Sequence, residues 1–483
     1  MSLRTRRGIL TLLLLCAVQF LDVVDSSITN VAFPSIERAL HFSQQSLQWV
    51  ASGYLLTYGG FLLLGGRLAD LLGRRRVLAV GLALFASCSL AAGAAQSEGL
   101  LIAARLVQGL GAALMAPAAL SILTTTFGEG GDRHTALGVW GAISGLGAAA
   151  GVFLGGVLSE GPGWRWVFFV NLPFCGLALA ACFRLLSGER GRARSSDFDT
   201  QGALLGTGGM LLLVYALIKA PDVGWGTTRT VALLAVAVAT LGAFVLNERS
   251  NRNPLVPLSI FRVKGLAAAD ATQLIGMAGF FSMFFFLTLY MQQVLGYSPI
   301  QAGAAYLPVT ASLAFAAGAS SQLFARIGTR PVIVTGALLS AVGIAYLSRV
   351  PLDASYAGDV LPGLVAMALG FGAVFVGVTT AANAGVPADR AGLAAGLLSA
   401  SQQLGMALGL AILSALATAR TGHLLAARAA HPAALAGGYR RALEACSGFV
   451  ALAAVIAARI PSTRAAAAPM LAGAEPTPEP AAP

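Results

Sequence analysis

Two aspartates, Asp22 and Asp25, and one arginine, Arg105, lie inside apolar stretches long enough to cross a bilayer. Each such charge costs roughly 2.5–3.5 kcal/mol near the centre of a membrane helix, so it faces a partner or a cavity. The chemistry these groups could do is proton exchange. Desolvation favours a neutral carboxyl and a nearby guanidinium favours the anion, so a site poised between the two can load and release a proton. At 1.5 Å per residue, Asp25 lies roughly 13 Å from Pro34 and Arg105 roughly 10 Å from Glu98, two ends assigned to the same membrane face. Asp22 sits one turn deeper than Asp25 on the same side of its helix. The expectation is that Asp25, with Asp22 as second candidate, is the protonation site and that Arg105 tunes it. A fixed Arg–Asp pair that only holds helices together is the competing reading.

The elements that position these groups follow from composition. Of 483 residues 57% are hydrophobic and 11% are charged, too few charges for the surface of a soluble protein of this size. The 58 glycines suit close helix approach in lipid. About twenty apolar residues span the hydrocarbon core, which predicts helices at 8–32, 47–66, 77–95, 100–123, 136–158, 166–186, 200–218, 230–247, 266–290, 301–324, 331–348, 360–384, 391–418 and 442–460. The N-terminal run, after Arg4, Arg6 and Arg7, is signal-like but too long and too acidic, and is read as a retained first helix.

The net charge of +11 does not indicate a nucleic-acid partner, because the basic residues fall in short loops between apolar runs. Twenty-one lie on the side of the N-terminus and nine on the other, with Arg105 within the membrane completing the 31. This bias predicts both termini in the cytoplasm. The exception is a basic stretch from Thr418 to Arg441, read as a loop before the last helix. Cys16, Cys88, Cys175, Cys182 and Cys446 form no CxxC pair, and the four histidines form no metal or catalytic motif. An enzyme, a metal centre and a cofactor therefore have no support. The Ala/Pro-rich segment 461–483 is expected to be a disordered cytoplasmic tail.

An internal repeat relates Leu68–Val77, after the second span, to Leu323–Val332, after the tenth. If these loops correspond, spans one to six match spans nine to fourteen. The expected division is an N-terminal six-helix bundle over 1–186, a linker with two extra spans over 187–265 and a C-terminal six-helix bundle over 266–460. Repeats of this kind place a substrate site between them near the midplane.

The segment Gly66-Arg67-Leu68-Ala69-Asp70-Leu71-Leu72-Gly73-Arg74-Arg75-Arg76 resembles the signature loop of the major facilitator superfamily, and Arg105-Leu106-Val107-Gln108-Gly109 its buried-arginine motif. Asp25–Pro34, Trp164–Pro173, Leu295–Gly303 and Ser401–Gly405 are similar to hallmarks of its fourteen-span drug:proton antiporter branch. The resemblance implies an all-α fold of two six-helix bundles plus two inserted spans, in a bacterial cytoplasmic membrane. It implies proton-coupled export of amphipathic drugs or antibiotics by alternating access; export of an endogenous lipid or secondary metabolite through the same site is the alternative. It implies that Gly66, Asp70, Gly73, Arg74 and Arg75 latch the two halves. It also implies that Gly147, Gly151, Gly155 and Gly156 form the packing face of the antiporter motif, here with Val152 where that motif usually has Pro.

Span nine is rich in Phe and Met, which re-pack around varied ligands. Phe281, Phe285, Tyr290 and Gln292, with Gln402 from span thirteen, are the candidate substrate-lining residues. Because the run is almost continuous, a lipid-facing role competes with that reading. Asp270, near the start of span nine, is expected to be interfacial. The partners expected are an amphipathic solute, protons and the bilayer, with the chain acting as a monomer.

Overall fold

The computed structural model describes residues 3, 5–127, 131–186, 199–251, 254, 256, 258–384, 386 and 391–462. The described residues fold into sixteen helices and no strand. In chain order these are α1 (Arg6–Leu40), α2 (Gln44–Leu72), α3 (Arg74–Gly93), α4 (Glu98–Thr126), α5 (Gly131–Leu158), α6 (Trp166–Phe169), α7 (Asn171–Leu185), α8 (Thr200–Val223) and α9 (Thr228–Ser250). There follow α10 (Leu266–Leu289), α11 (Pro299–Ala305), α12 (Leu307–Ile327), α13 (Thr329–Leu347), α14 (Leu361–Asn383), α15 (Ala391–Ala426) and α16 (His431–Ala457). With α6–α7 and α11–α12 each counted as one crossing, these make fourteen long segments at the places where apolar runs predict them. Among the described residues, eleven carry an apolar window of the length and composition that crosses a membrane. The other three, α2, α5 and α16, are 29, 28 and 27 residues long.

The first six segments pack on one another, as do the last six, and α8 and α9 form a separate pair. The inserted α8 lies against both α2 and α15, along a seam where the two bundles meet. There the Thr207 hydroxyl donates to the Gly60 carbonyl at 2.9 Å. The repeated loops share a backbone device: α2 turns into α3 at Gly73, φ +97°, and α12 into α13 at Gly328, φ +87°. A side chain is strained at such angles, so glycine is the residue that allows each turn.

The segment Thr418–Arg441 is largely helical and not a loop. α15 continues to Ala426 and α16 begins at His431. Alanine-rich sequence favours helix even where it is too polar to read as a span. The added turns are anchored, since Tyr439 is fully buried and Arg440 donates to the Val350 carbonyl at 2.6 Å.

Residues 187–198, the start of the predicted linker, and 463–483, nearly all of the predicted tail, lie outside the described residues.

Candidate functional site

Helix α1 brings Asp22 and Asp25 into the N-terminal bundle one turn apart. The hydroxyls beside them are satisfied within the helix: Ser26, Ser27 and Thr29 each donate to the carbonyl four residues earlier, at 3.1, 2.9 and 2.9 Å. At this depth of the helix the two aspartates are the groups that reach across to other helices.

Asp25 is completely buried, and Oδ2 accepts from Arg105 Nη1 at 2.6 Å. Oδ1 accepts from Gln108 Nε2 at 3.0 Å and Asn171 Nδ2 at 2.7 Å. The guanidinium is equally enclosed, 1% exposed. Its Nε donates to the Val50 carbonyl at 3.0 Å and Nη1 also to Gln108 Oε1 at 2.9 Å. Its charged carbon stands 4.2 Å from the Tyr54 ring centre and 5.6 Å from that of Phe168. The structure thus joins the two groups that depth along their helices had placed level. They form a closed ion pair, braced by α2, α4 and α7.

Asp22 turns to different partners. Its carboxylate accepts from the Tyr54 hydroxyl at 3.0 Å and the Tyr58 hydroxyl at 2.7 Å, both on α2. Among the described residues it makes no ion pair. Next to Tyr58, α2 packs closely on α15 of the opposite bundle: a Cβ at Gly59 would stand 2.8 Å from the Gln403 side chain.

Sequence reading quoted the segments containing Gln108 and Asn171 without assigning them a role, and it missed Tyr54 and Tyr58. The two tyrosines, four apart on one face of α2, were the available signal.

The glycine motif of α5 packs as its spacing predicts. A Cβ at Gly147 would stand 3.2 Å from Val23, one at Gly151 2.8 Å from Ser27, and one at Gly155 2.6 Å from the Ile28 carbonyl. Gly156 faces the other bundle, where a Cβ would meet the Pro299 carbonyl at 2.7 Å. That contact belongs to a seam closing the two bundles at the face opposite the N-terminus. There Glu160 accepts from the Ser298 hydroxyl at 2.8 Å and the Ile300 amide at 3.1 Å. Phe33 meets Phe285 edge-on at 5.1 Å, and Gln292 donates to the Val31 carbonyl at 3.0 Å.

Phe285 and Gln292 therefore take part in closing the bundles on each other at this face. Tyr290 is turned into its own bundle, donating to the Val350 carbonyl at 2.7 Å. Phe281 is only half-buried, and Gln402, also half-buried, accepts from Gln273 at 3.1 Å. Asp270 corrects the interfacial expectation: it is 7% exposed, and among the described residues neither carboxylate oxygen has a partner. It lies a full turn inside α10, where helix packing covers it.

In the signature loop, Arg74 donates to the Thr125 hydroxyl at 3.0 Å. Arg75 donates to the Phe183 carbonyl at 3.2 Å and lies over the Phe183 ring. Both contacts are within the N-terminal bundle. A Cβ at Gly66 would stand 3.7 Å from Pro117, and the Asp70 side chain lies outside the described residues.

Two bundles of six crossings, with buried charges in the first and a seam between them, define a polytopic transport fold. Residues 15–410 match the family model of the Major Facilitator Superfamily, and the chain belongs to that family. It is 41% identical to a puromycin resistance protein of Streptomyces alboniger, over 97% of this chain and 94% of that one. It is 37% identical to a tetracenomycin C resistance and export protein of Streptomyces glaucescens, covering 85% and 76%. Against the multidrug resistance protein Stp of Mycobacterium tuberculosis the identity is 35%, covering 86% and 76%. The fold resembles an inward-facing bacterial homologue of the lysosomal transporter Spinster, with a TM-score of 0.68 at 16% identity, covering 94% and 96%. It likewise resembles the peptide transporter POT in complex with sulfate, with a TM-score of 0.66 at 16% identity, covering 92% and 93%.

Proposed function

We propose that this protein exports amphipathic drugs or antibiotics across a bacterial cytoplasmic membrane in exchange for protons. Kinship with export and resistance proteins supports the substrate class. The single observation that carries the coupling is a pair of buried carboxylates in the first crossing, one closed in an ion pair and one held by neutral hydroxyls.

On this reading the two acids divide the work. Asp25, Arg105, Gln108 and Asn171 hold α1, α4 and α7 together as a fixed anchor. Asp22 is the exchanging group. A carboxylate held only by phenols has no fixed cation to lose, so gaining a proton there does not break an ion pair. Its partner Tyr58 stands where α2 packs on α15, so protonation of Asp22 is felt at the bundle interface. When α2 and α15 slide during alternating access, that contact changes and Asp22 exchanges its proton. The chain acts as a monomer with both termini in the cytoplasm, consistent with the loop charge bias. The closed seam then lies at the outer face. The Gly66–Arg75 loop, free of that seam, latches the inner face in the opposite state.

The test is a resistance profile in a drug-sensitive host, with and without a protonophore, together with substrate-induced proton movement in proteoliposomes. Asp22→Asn is expected to abolish both while leaving the protein folded in the membrane. Proton-driven export by Asp22→Asn at the wild-type rate would remove Asp22 from the mechanism.

A further inference from the structure

The second bundle contains a polar site that the proton mechanism does not use. Asp270 lies in α10 with both carboxylate oxygens buried and unpartnered. One turn further along the same face, the Gln273 side-chain carbonyl is also buried without a donor, while its amide donates to Gln402. Glycines set the register of this region. A Cβ at Gly405 would strike the Leu274 carbonyl at 2.2 Å, and one at Gly409 would strike Ala278 at 2.4 Å. Helices α10 and α15 therefore run side by side in parallel, and the same register brings Asp270 level with Ser401. Ser401 and Gln402 are half-buried, so this polar strip reaches the edge of the packed region.

Three acceptor oxygens on one helix face, with no donor among the described residues, are an unbalanced arrangement. Buried acceptors are almost always satisfied, and an unsatisfied one costs about 1–3 kcal/mol. A buried carboxylate without a partner costs more. What the site lacks is a compact positive group with several N–H donors.

We propose that Asp270 and the Gln273 carbonyl form a recognition station for a primary ammonium group on an amphipathic substrate. A primary ammonium brings one charge and three donors, matching the two carboxylate oxygens and the amide carbonyl. The apolar part of the solute then lies along α10, where Phe280 and Phe281 are half-buried and Phe280 stacks on Phe371 at 3.6 Å. The station is distinct from the Asp22 site but not isolated from it. Gln402, which holds Gln273, adjoins Gln403, whose side chain packs on α2 at Gly59, next to Tyr58 and its partner Asp22. This inference rests on the export reading, since it names the substrate class of that transport path.

The experiment uses the full-length protein purified in detergent and two fluorescent probes: dansylcadaverine, which carries a primary ammonium, and its neutral N-acetyl derivative. Binding is read by fluorescence polarisation. The wild type is expected to bind the amine about tenfold more tightly than the amide, or better, the scale of one charge-assisted contact. Asp270→Asn is expected to erase that preference with an unchanged thermal midpoint, and Glu444→Gln, which removes an exposed acid on α16, to retain it. No preference in the wild type, or a preference that survives Asp270→Asn, overturns the proposal. Failure to export any amphipathic compound while the amine preference persists counts against the export reading alone. Export without amine preference counts against this inference alone.

Discussion

The two bundles treat buried charge in opposite ways. In the first, Asp25 is given a guanidinium and two amides, and every one of these contacts is 3.0 Å or shorter. In the second, Asp270 is 7% exposed and neither carboxylate oxygen has a partner among the described residues. Both are acids set in long apolar helices. The difference teaches that burial of a charge does not itself say what the charge is for. A satisfied carboxylate holds helices together, and one without a partner among the described residues does not.

Neutralising each acid sharpens the contrast most. Asp25→Asn leaves Arg105 buried without an anion, and breaking a buried pair from one side costs on the order of 3–5 kcal/mol. The expected result is a large fall in thermal midpoint and in yield of folded protein. The double variant Asp25→Asn, Arg105→Gln is expected to recover much of that loss, because no charge is then stranded. Asp270→Asn removes an unsatisfied charge and is expected to leave the midpoint unchanged or slightly raised. Equal destabilisation by the two single variants would break the comparison.

Much of the fold was legible before the structure. The fourteen apolar segments follow from length and composition, the repeated loops at Gly73 and Gly328 from self-similarity, and the glycine face of α5 from the family resemblance. The pairing of Asp25 with Arg105 was legible too, since rise per residue fixes depth. What composition could not reveal was which way each side chain turns around its helix. Asp22 and Asp25 share a face, yet a difference of about 60° in direction sends one to the tyrosines of α2 and the other to α4 and α7. Phe285 and Gln292 read as ligand-lining because they are aromatic or polar, while packing assigns them to the seam. Hydropathy also shortened α15 and α16, because it reports lipid contact and not helix. Asp270 was misplaced for a related reason: distance from a helix end was taken as distance from water, and tertiary cover overrode it.

A smaller effect is expected at the α5 packing face. Gly155→Ala places a methyl 2.6 Å from the Ile28 carbonyl within the first bundle. Gly156→Ala places one 2.7 Å from the Pro299 carbonyl of the second. Overpacking of this kind costs about 1–3 kcal/mol. The two neighbouring positions therefore separate stability from conformational choice. Gly155→Ala is expected to lower the thermal midpoint, because it strains one bundle in every state. Gly156→Ala is expected to leave each bundle intact and to open the seam, read as increased alkylation of a cysteine introduced at Ser298. A fall in midpoint for Gly156→Ala equal to that of Gly155→Ala, without seam opening, would show that the seam does not separate.

The smallest effect concerns Glu160, which belongs to one bundle but serves the other. Helix α11 starts at Pro299, and its first turn leaves amide groups without an intrahelical acceptor. Pro299 has no amide hydrogen to satisfy, and Ser298 caps Gln301. The Ile300 amide is the remaining one, and the Glu160 carboxylate takes it across the seam together with the Ser298 hydroxyl. The contact is exposed, so its net worth is below about 1 kcal/mol. A contact this weak suits a seam that must part in each cycle, because a strong one would hold the transporter in a single state. Glu160→Ala is expected to leave the thermal midpoint within error and to speed hydrogen exchange at the Ile300 amide several-fold, since that amide then faces water. Unchanged exchange at Ile300 would mean that the α11 start is held from within its own bundle and that the two halves meet there without a polar clasp.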